Sequence, residues 1–359
     1  MRRVYNFSAG PCTLPLGVLE QAQAEFVDYD GAGMSLIEMS HRSGAYDAVH
    51  EGAMRLAKSV FGAPGDFEVL FLGGGATLQF AMVPMNLLGA GQRAAYVDSG
   101  AWGANAISDG SHHGDVYTAW SGRDEAYTRM PDPEELALVE NTRYLHVTSN
   151  ETIHGIRFAE FPDVGVRLVG DMSSDYMSRA IPWHLFDVVY GGAQKNLGPA
   201  GVDITFVRRE VLEHTNRDLA AYLRYDIHAD KRSLYNTPPV FAIYMVGKVL
   251  KWMENQGGLT AMEANAAHKS GLVYDAIAAS DGFYQSPVAP ADRSHMNVVF
   301  TMADSDIEKA FVAGAAERDM VNLKGHRSLG GVRASIYNAM PVDGVEALVA
   351  YMEEFQASA

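Results

Sequence analysis

Apolar residues along this chain form short runs that alternate with segments of helical spacing. Six such runs predict strands at 67–72, 94–98, 144–148, 166–171, 187–190 and 202–207. Most of the runs lack a strict alternation of apolar and polar residues, as is typical of strands covered by helices on both faces. Strands that alternate with helices favour an α/β fold with a mostly parallel sheet.

Helical spacing marks three further segments of this first part of the chain. Pro15 is expected to begin one helix, a second covers 46–61, and a third covers 240–254 and ends at the Asn-Gln-Gly-Gly sequence of 255–258. The apolar stripes of the first two helices are predicted at Val18, Leu19, Ala22 and Phe26, and at Val49, Ala53, Leu56 and Val60.

A domain boundary is predicted near Gly257. Beyond it, the pattern indicates helices from Thr260, Ser305 and Val342 and strands at 297–301 and 332–336. We therefore expect a large domain over 15–256 and a smaller C-terminal α/β domain over 257–359. Residues 1–14 are too short to fold alone, so we expect them to pack on the small domain or at the interface.

Composition and charge narrow the range of functions. The 359 residues are 48% hydrophobic, and a net charge of −16 argues against a general grip on nucleic-acid phosphates. A negative net charge is nevertheless compatible with a local basic pocket that binds a small anionic substrate. The single cysteine, Cys12, excludes an intramolecular disulfide and a cysteine-built zinc site. We find no membrane-length apolar run and no signal-peptide pattern, so we expect a soluble cytoplasmic protein without a membrane partner.

Gly73, Gly74 and Gly75 follow a predicted strand and open a predicted helix. Small residues there let backbone N–H groups approach an anion at the positive end of the helix. The sequence matches neither a Walker A loop nor a Gly-x-Gly-x-x-Gly fingerprint. Alone, the triple glycine fits a phosphate site and a tight strand–helix turn equally well.

Two ionisable residues follow the next predicted strands. Asp171 closes the strand at 166–171, at the end where open α/β sheets bind ligands, although an isolated aspartate is more often a turn or helix cap. Lys195 lies among small residues in a glycine-rich turn, where an amine can lose its proton more easily. A phosphate cradle, a carboxylate and an amine in this order match what pyridoxal phosphate (PLP) requires.

The chain resembles the class V aminotransferase group of the fold-type I PLP-dependent enzymes. The motifs that carry the resemblance span nearly the whole sequence and begin at Asn6, Glu38, Gly74, Ser149, Gly192, Tyr235, Lys324 and Arg333; they read NFSAGP, EMSHR, GGATLQF, SNETIHG, GAQKN, YNTPP, KGHR and RASIYNA.

The resemblance implies a role for each matching residue. Lys195 would bind PLP covalently, Asp171 would face the ring nitrogen, Trp102 would stack on the ring, and Thr152 would lie near the ring hydroxyl. The cofactor phosphate would be held by Ala76, Thr77 and Gln194, with Asn236 and Thr237 from the second subunit of a homodimer. Arg333 would bind the substrate α-carboxylate, and the distal anion would be bound by His41, Arg42, His326 and Arg327. Ala9 stands where some relatives carry a substrate-contacting serine.

The implied activity is a transamination between L-glutamate and 3-phosphohydroxypyruvate, giving O-phospho-L-serine and 2-oxoglutarate, with 4-phosphohydroxy-L-threonine as a second substrate in vitamin B6 synthesis. Two alternatives stay open. One is another class V activity, such as alanine–glyoxylate transfer; cysteine desulfuration is disfavoured because Cys12 is the sole thiol. The other is a non-catalytic PLP- or phosphate-binding protein, against which Lys195, Asp171 and Arg333 argue.

Overall fold

The computed structural model describes residues 3–216 and 218–358. The helices are α1 (Leu16–Glu25), α2 (Gly44–Val60), α3 (Gly75–Leu87), α4 (Ala101–Gly110), α5 (Arg209–Glu213), α6 (Tyr225–Asp230), α7 (Val240–Asn255), α8 (Gly258–Ala279), α9 (Ser305–Glu317) and α10 (Val342–Ser358). The strands are β1 (Tyr5–Asn6), β2 (Phe67–Leu72), β3 (Arg93–Asp98), β4 (Asp115–Ser121), β5 (Thr142–Thr148), β6 (Asn150–Glu151), β7 (Ile156–Arg157), β8 (Leu168–Asp171), β9 (Phe186–Gly192), β10 (Asp203–Arg208), β11 (Asn297–Phe300), β12 (Met320–Val321) and β13 (Val332–Ser335).

A seven-stranded sheet in the order β2-β10-β9-β8-β5-β3-β4 forms the centre of the fold. Only β10 runs against its neighbours, β2 and β9, so the predicted mostly parallel sheet is confirmed. The sequence analysis missed β4. This strand lies at the sheet edge and buries one residue of seven, so it lacks the apolar run that marked the inner strands.

Alternate side chains of the sheet strands enter two separate cores, because successive residues of a strand point to opposite faces. Val69 and Phe71 pack with α2 and α7 on one face, whereas Leu70 and Leu72 pack with α3 and α6 on the other. The expected stripe of α2 was partly wrong. The helix buries Tyr46, His50, Ala53, Ala57 and Val60, and the predicted Val49 and Leu56 are only half-buried because the buried face is rotated toward α7.

The C-terminal part of the chain has its own apolar core, built from α8, α9, α10, β11 and β13. The start of the chain joins it: β1 pairs in parallel with β12, and Phe7 is fully buried in this core. The helices and strands predicted here are present, whereas the domain boundary at Gly257 stays a prediction. Within the described ranges, no helix is both long enough and apolar enough to cross a bilayer.

Candidate functional site

Three neighbouring strands end together at one edge of the sheet. Thr148 of β5 pairs with Asp171 of β8, which in turn pairs with Tyr190 of β9. Because β5, β8 and β9 are parallel, their carboxyl ends open onto the same cavity. This cavity has a volume of about 120 Å³ and is lined by Gly75, Ala76, Thr77, Phe80, Trp102, Thr148, Asn150, Asp171, Ser173, Ser174, Gln194 and Lys195.

Lys195 brings an amine into this cavity. Its side chain is buried, and Nζ donates a hydrogen bond of 2.7 Å to Oγ1 of Thr152. Burial lowers the pKa of Lys195 to about 8, since an ammonium ion loses its hydration there. The carboxylates of Asp171 and Glu151 oppose that shift, and the Arg333 guanidinium adds to it. About a tenth of this amine is therefore neutral and nucleophilic at pH 7, far more than for an ordinary lysine.

Asp171 is the acidic group of the cavity. Its Oδ1 accepts hydrogen bonds from the backbone N–H (2.9 Å) and the hydroxyl (2.7 Å) of Ser173. Burial nevertheless raises the pKa of Asp171, although these bonds and the Lys195 charge lower it in part. A cationic N–H donor placed against Asp171 would stabilise its charged form.

The triple glycine forms the turn into α3, and the first turn of this helix borders the cavity. Gly74 precedes the helix with φ 89°, and a side chain there would meet Leu78 at 2.6 Å, so this turn needs glycine. Ala76 is half-buried and Thr77 is exposed at the cavity. The free N–H groups of this turn and the positive end of the helix suit a phosphate group.

Trp102 lies in the first turn of α4, with its ring centre 5.8 Å from Nζ of Lys195. Glu151 binds that turn from a distant segment, through the backbone N–H of Trp102 (3.2 Å) and of Gly103 (2.8 Å). The sequence analysis quoted Glu151 within a motif but assigned it no role. Its partners lie about fifty residues earlier in the chain, so no local spacing could have revealed this contact.

Arg333 lies on β13, near enough to Lys195 to lower its pKa. Burial lowers the pKa of Arg333 too, the direction expected for a buried cation without a paired carboxylate. Its Nε is buried without a hydrogen-bond partner among the described residues. Arg333 is therefore placed to receive an anion beside the amine.

The two His-Arg pairs are less closely tied to the cavity. Burial lowers the pKa of His154, which lies two residues beyond Thr152, and His326 lowers it further, whereas Arg327 is exposed. Arg42 is exposed, and Nε2 of His41 is buried with no hydrogen-bond partner in the part of the chain that is described. That these four residues meet one anion stays a prediction.

Asn236 and Thr237 do not line the cavity of Lys195. They are exposed and border a different cavity, together with Tyr222, His228 and Pro238. The predicted contact of these residues with a cofactor phosphate would therefore require a second copy of the chain.

The N-terminal segment closes one side of the site. A side chain at Gly10 would meet Cγ of Lys195 at 3.3 Å, and the thiol of Cys12 donates to the carbonyl of Lys195 at 2.6 Å. Burial raises the pKa of Cys12 to about 12, so this thiol stays protonated and serves as a donor. The carbonyl of the half-buried Ala9 accepts from the hydroxyl of Tyr337 at 2.8 Å.

The residues of the cavity fit pyridoxal phosphate. They supply an amine, a carboxylate and a helix N-terminus, together with the indole of Trp102. Nε1 of Trp102 and Oγ1 of Thr148 are buried without hydrogen-bond partners among the described residues, so these polar atoms of the cavity wall can bind a ligand. The described residues hold no cluster of histidine, cysteine, aspartate and glutamate suited to a metal ion.

Comparisons with known proteins agree with this geometry. The family model described as "Aminotransferase class-V" matches residues 4–348. A phosphoserine aminotransferase of Niallia circulans is 50% identical over 358 residues, with 99% of both chains covered. The solved phosphoserine aminotransferase from Bacillus circulans subsp. alkalophilus superposes with a TM-score of 0.97 at 50% identity, covering 99% of each chain. The PLP-bound phosphoserine aminotransferase from Trichomonas vaginalis gives a TM-score of 0.93 at 36% identity, covering 98% of this chain and 100% of that one.

The lowered pKa of Lys195 predicts an unusual reactivity. In the protein freed of ligands, reductive methylation of Lys195 by formaldehyde with cyanoborohydride as the reductant should titrate with a midpoint near pH 8, because only the neutral amine reacts with the aldehyde. Peptide-resolved mass spectrometry would follow Lys195, with exposed Lys251 in the same digest as the reference. A Lys195 midpoint near the ordinary lysine value of ~10.4 would contradict the proposed desolvation.

Proposed function

The chain belongs to the class-V aminotransferase family, and from this premise we propose that it transfers an amino group between L-glutamate and 3-phosphohydroxypyruvate, giving O-phospho-L-serine for serine biosynthesis and 2-oxoglutarate. The observation that carries the proposal is the buried amine of Lys195, bonded to Thr152 in a cavity that also holds Asp171. We further propose 4-phosphohydroxy-L-threonine as a second substrate, because it bears the same two kinds of anion.

The protein is a PLP-dependent aminotransferase. When bound, PLP supplies an aldehyde that takes up amino groups and a ring that withdraws electrons from the substrate Cα. We propose that Lys195 is the residue to which PLP attaches and that its released amine moves a proton between the substrate Cα and C4′ of the cofactor. Borohydride reduction of the holoprotein should leave the pyridoxyl group on Lys195; finding it on another lysine would overturn this assignment.

The other cofactor contacts follow from position. Asp171 would hold a proton at the ring nitrogen. The resulting ring cation would stabilise the Asp171 carboxylate against the effect of burial, which raises the pKa of Asp171. Trp102 would cover one face of the ring and exclude water, and Thr152, which now accepts from Lys195, would bind near the ring hydroxyl. The first turn of α3, with Ala76 and Thr77, and Gln194 would bind the phosphate.

We propose that substrate binding rests on basic side chains. Nε of Arg333 is buried without a partner among the described residues, and the guanidinium is near enough to lower the pKa of Lys195, so it suits the α-carboxylate of every amino acid. The two dipeptides His41-Arg42 and His326-Arg327 would bind the distal phosphate or the side-chain carboxylate of glutamate. Burial of a doubly charged group is prohibitive without such counter-charges.

Replacing Asp171 with asparagine should separate cofactor binding from proton abstraction. The amide cannot hold the ring nitrogen as a cation, so we expect the single-turnover rate of Cα deprotonation to fall by about 10²-fold or more. PLP should still bind, measured by its visible absorbance. A rate within about twofold of the unchanged enzyme would contradict the role of Asp171.

Mixing two inactive variants should test the shared site. Lys195→Ala loses the amine, and the double variant Asn236→Ala/Thr237→Ala loses the phosphate contacts. If the contacts come from the second copy, a mixed dimer combines both defects in one site and leaves the other intact. We therefore expect activity to return when the two inactive proteins are dissociated and reassembled together.

Contacts made within one chain would leave both sites of the mixed dimer defective, so no recovery would refute the shared site. Each variant reassembled with itself is the control for the procedure. A monomeric protein with full activity would refute the proposed homodimer as well.

Loss of Arg42 should affect substrates according to their distal charge. A hydrogen bond to a charged group contributes about 1.5–3 kcal/mol, so Arg42→Ala should lower kcat/KM for phosphoserine and glutamate about ten- to a hundredfold and leave alanine little changed. Arg327→Ala should behave likewise. Arg333→Ala should lower kcat/KM for all three amino acids, because each has an α-carboxylate.

Steady-state assays with phosphoserine, glutamate and alanine, each with its matching 2-oxo acid, would measure these changes. An equal loss for phosphoserine and alanine in Arg42→Ala would make Arg42 structural and the phosphorylated substrate wrong. An unchanged enzyme that prefers alanine and glyoxylate would favour the other class V activity instead.

A further inference from the structure

Glu151 places a carboxylate in the interior next to the proposed PLP site. Its side chain is fully buried, at 0% exposure, on the short strand β6. Isolated buried carboxylates are costly, so they require hydrogen-bond partners that match their charge. Nothing in the proposed mechanism so far uses this group.

Both oxygens of Glu151 bind the start of α4. Oε1 accepts from the backbone N–H of Gly103 at 2.8 Å, and Oε2 accepts from that of Trp102 at 3.2 Å. The residue before the helix, Gly100, has no side chain to cap these N–H groups. Glu151 thus caps α4 from a distant segment, where the positive end of the helix offsets its charge.

The approach of this carboxylate depends on missing side chains. A Cβ at Gly100 would lie 2.6 Å from Cδ of Glu151, and one at Gly103 would lie 2.7 Å from the carbonyl of Val97. Glycine at both positions therefore allows the helix start, the strand end and the carboxylate to pack together. The contact of Glu151 with α4 therefore depends on Gly100 and Gly103.

Trp102 lies in the turn that Glu151 holds. Its ring centre is 5.8 Å from Nζ of Lys195, and its Nε1 is buried without a partner among the described residues. The indole therefore has no hydrogen bond to a described residue, and its position depends on packing against the adjacent apolar core and on the backbone of the first turn of α4.

We propose that Glu151 is a positioning residue that holds the first turn of α4, and with it the ring of Trp102, at the cofactor cavity. The proposal rests on the proposed function only in taking this cavity as the PLP site. Burial raises the pKa of Glu151 to about 7, although its two backbone hydrogen bonds lower it in part, and its ionised form raises the pKa of Lys195 against the effect of burial.

Two variants separate the contact from the charge. Glu151→Gln keeps the shape but removes the charge and turns an acceptor into a donor that faces an N–H group. Gly100→Ala keeps the carboxylate but crowds it, and also crowds Nδ1 of His154, so the two variants share only the loss of the Glu151 contact. The matched control is Glu308→Gln, because the half-buried Glu308 of α9 also accepts from two backbone N–H groups, those of Met302 (3.3 Å) and Gly331 (2.9 Å).

Hydrogen exchange of the apoprotein, followed by mass spectrometry, measures the contact. We expect the peptide covering 99–105 to exchange about tenfold faster in Glu151→Gln and Gly100→Ala, the equivalent of one lost charged hydrogen bond. Glu308→Gln should leave this peptide unchanged. Wild-type exchange in both variants would overturn the proposal, and so would a uniform rise over all peptides, which marks general destabilisation.

Uptake of PLP by the apoprotein measures the consequence for the site. The dissociation constant of PLP should rise about tenfold in Glu151→Gln and stay constant in Glu308→Gln. The midpoint of the pH dependence of the uptake rate should move to lower pH in Glu151→Gln, because loss of the negative charge lowers the pKa of Lys195. Faster exchange with unchanged affinity and midpoint would reduce Glu151 to a helix cap and overturn the proposal.

These readouts involve no amino-acid substrate. A chain that prefers an unphosphorylated substrate would refute the proposed function and leave the predictions for Glu151 unaffected. Conversely, normal exchange and PLP uptake in Glu151→Gln, with the phosphoserine preference intact, would refute the positioning role alone.

Discussion

An amine buried at the meeting point of three strands is the constraint on which the site depends. Lys195 is only 8% exposed, and loss of hydration favours its neutral form. Two carboxylates, Asp171 and Glu151, pull the equilibrium back toward the ammonium ion, and the resulting pKa of about 8 lies near physiological pH. The protonation of Lys195 therefore depends on how the strands are placed, because Asp171 ends β8 and Glu151 ends β6. A shift of any one segment would change the protonation of the amine.

The C-terminal core must therefore be held in place relative to Lys195. Next to it, Asn196 donates to the carbonyl of Tyr176 at 2.7 Å and accepts from the N–H of Asn338 at 2.9 Å. Nδ2 of Asn338 then donates to the carbonyl of Met177 at 2.8 Å. Such buried, paired polar groups tolerate little displacement, because a broken bond leaves an unsatisfied group in a low dielectric. This network fixes the segment that follows β13, and so it fixes where Arg333 stands.

The sequence could predict the parts of this site that follow from local patterns. Asp171 ends one buried apolar run, Lys195 lies a few residues beyond another, and the turn before α3 needs glycine for its backbone conformation, so these three signals taken together indicated the carboxyl ends of the strands. The contact of Glu151 could not be predicted in this way. It joins β6 to a helix start far back in the chain, and it exists only because Gly100 leaves room for it. The proposed roles of Asn236 and Thr237 depend on the resemblance, because a single chain places these residues at a separate cavity.

The overall charge of the chain says little about the anions it would bind. At physiological ionic strength, charges separated by more than ~8 Å are largely screened, so a net charge of −16 spread over the surface acts weakly on a ligand inside the cavity. Desolvated donors act at contact distance instead. Nε of Arg333 and Nε2 of His41 are both buried and without partners in the described part of the chain, which costs free energy until an anion arrives. Under the proposed function, these unpaired groups would therefore decide the preference for an anionic substrate, because a ligand with oxygen atoms at both ends would offset their cost.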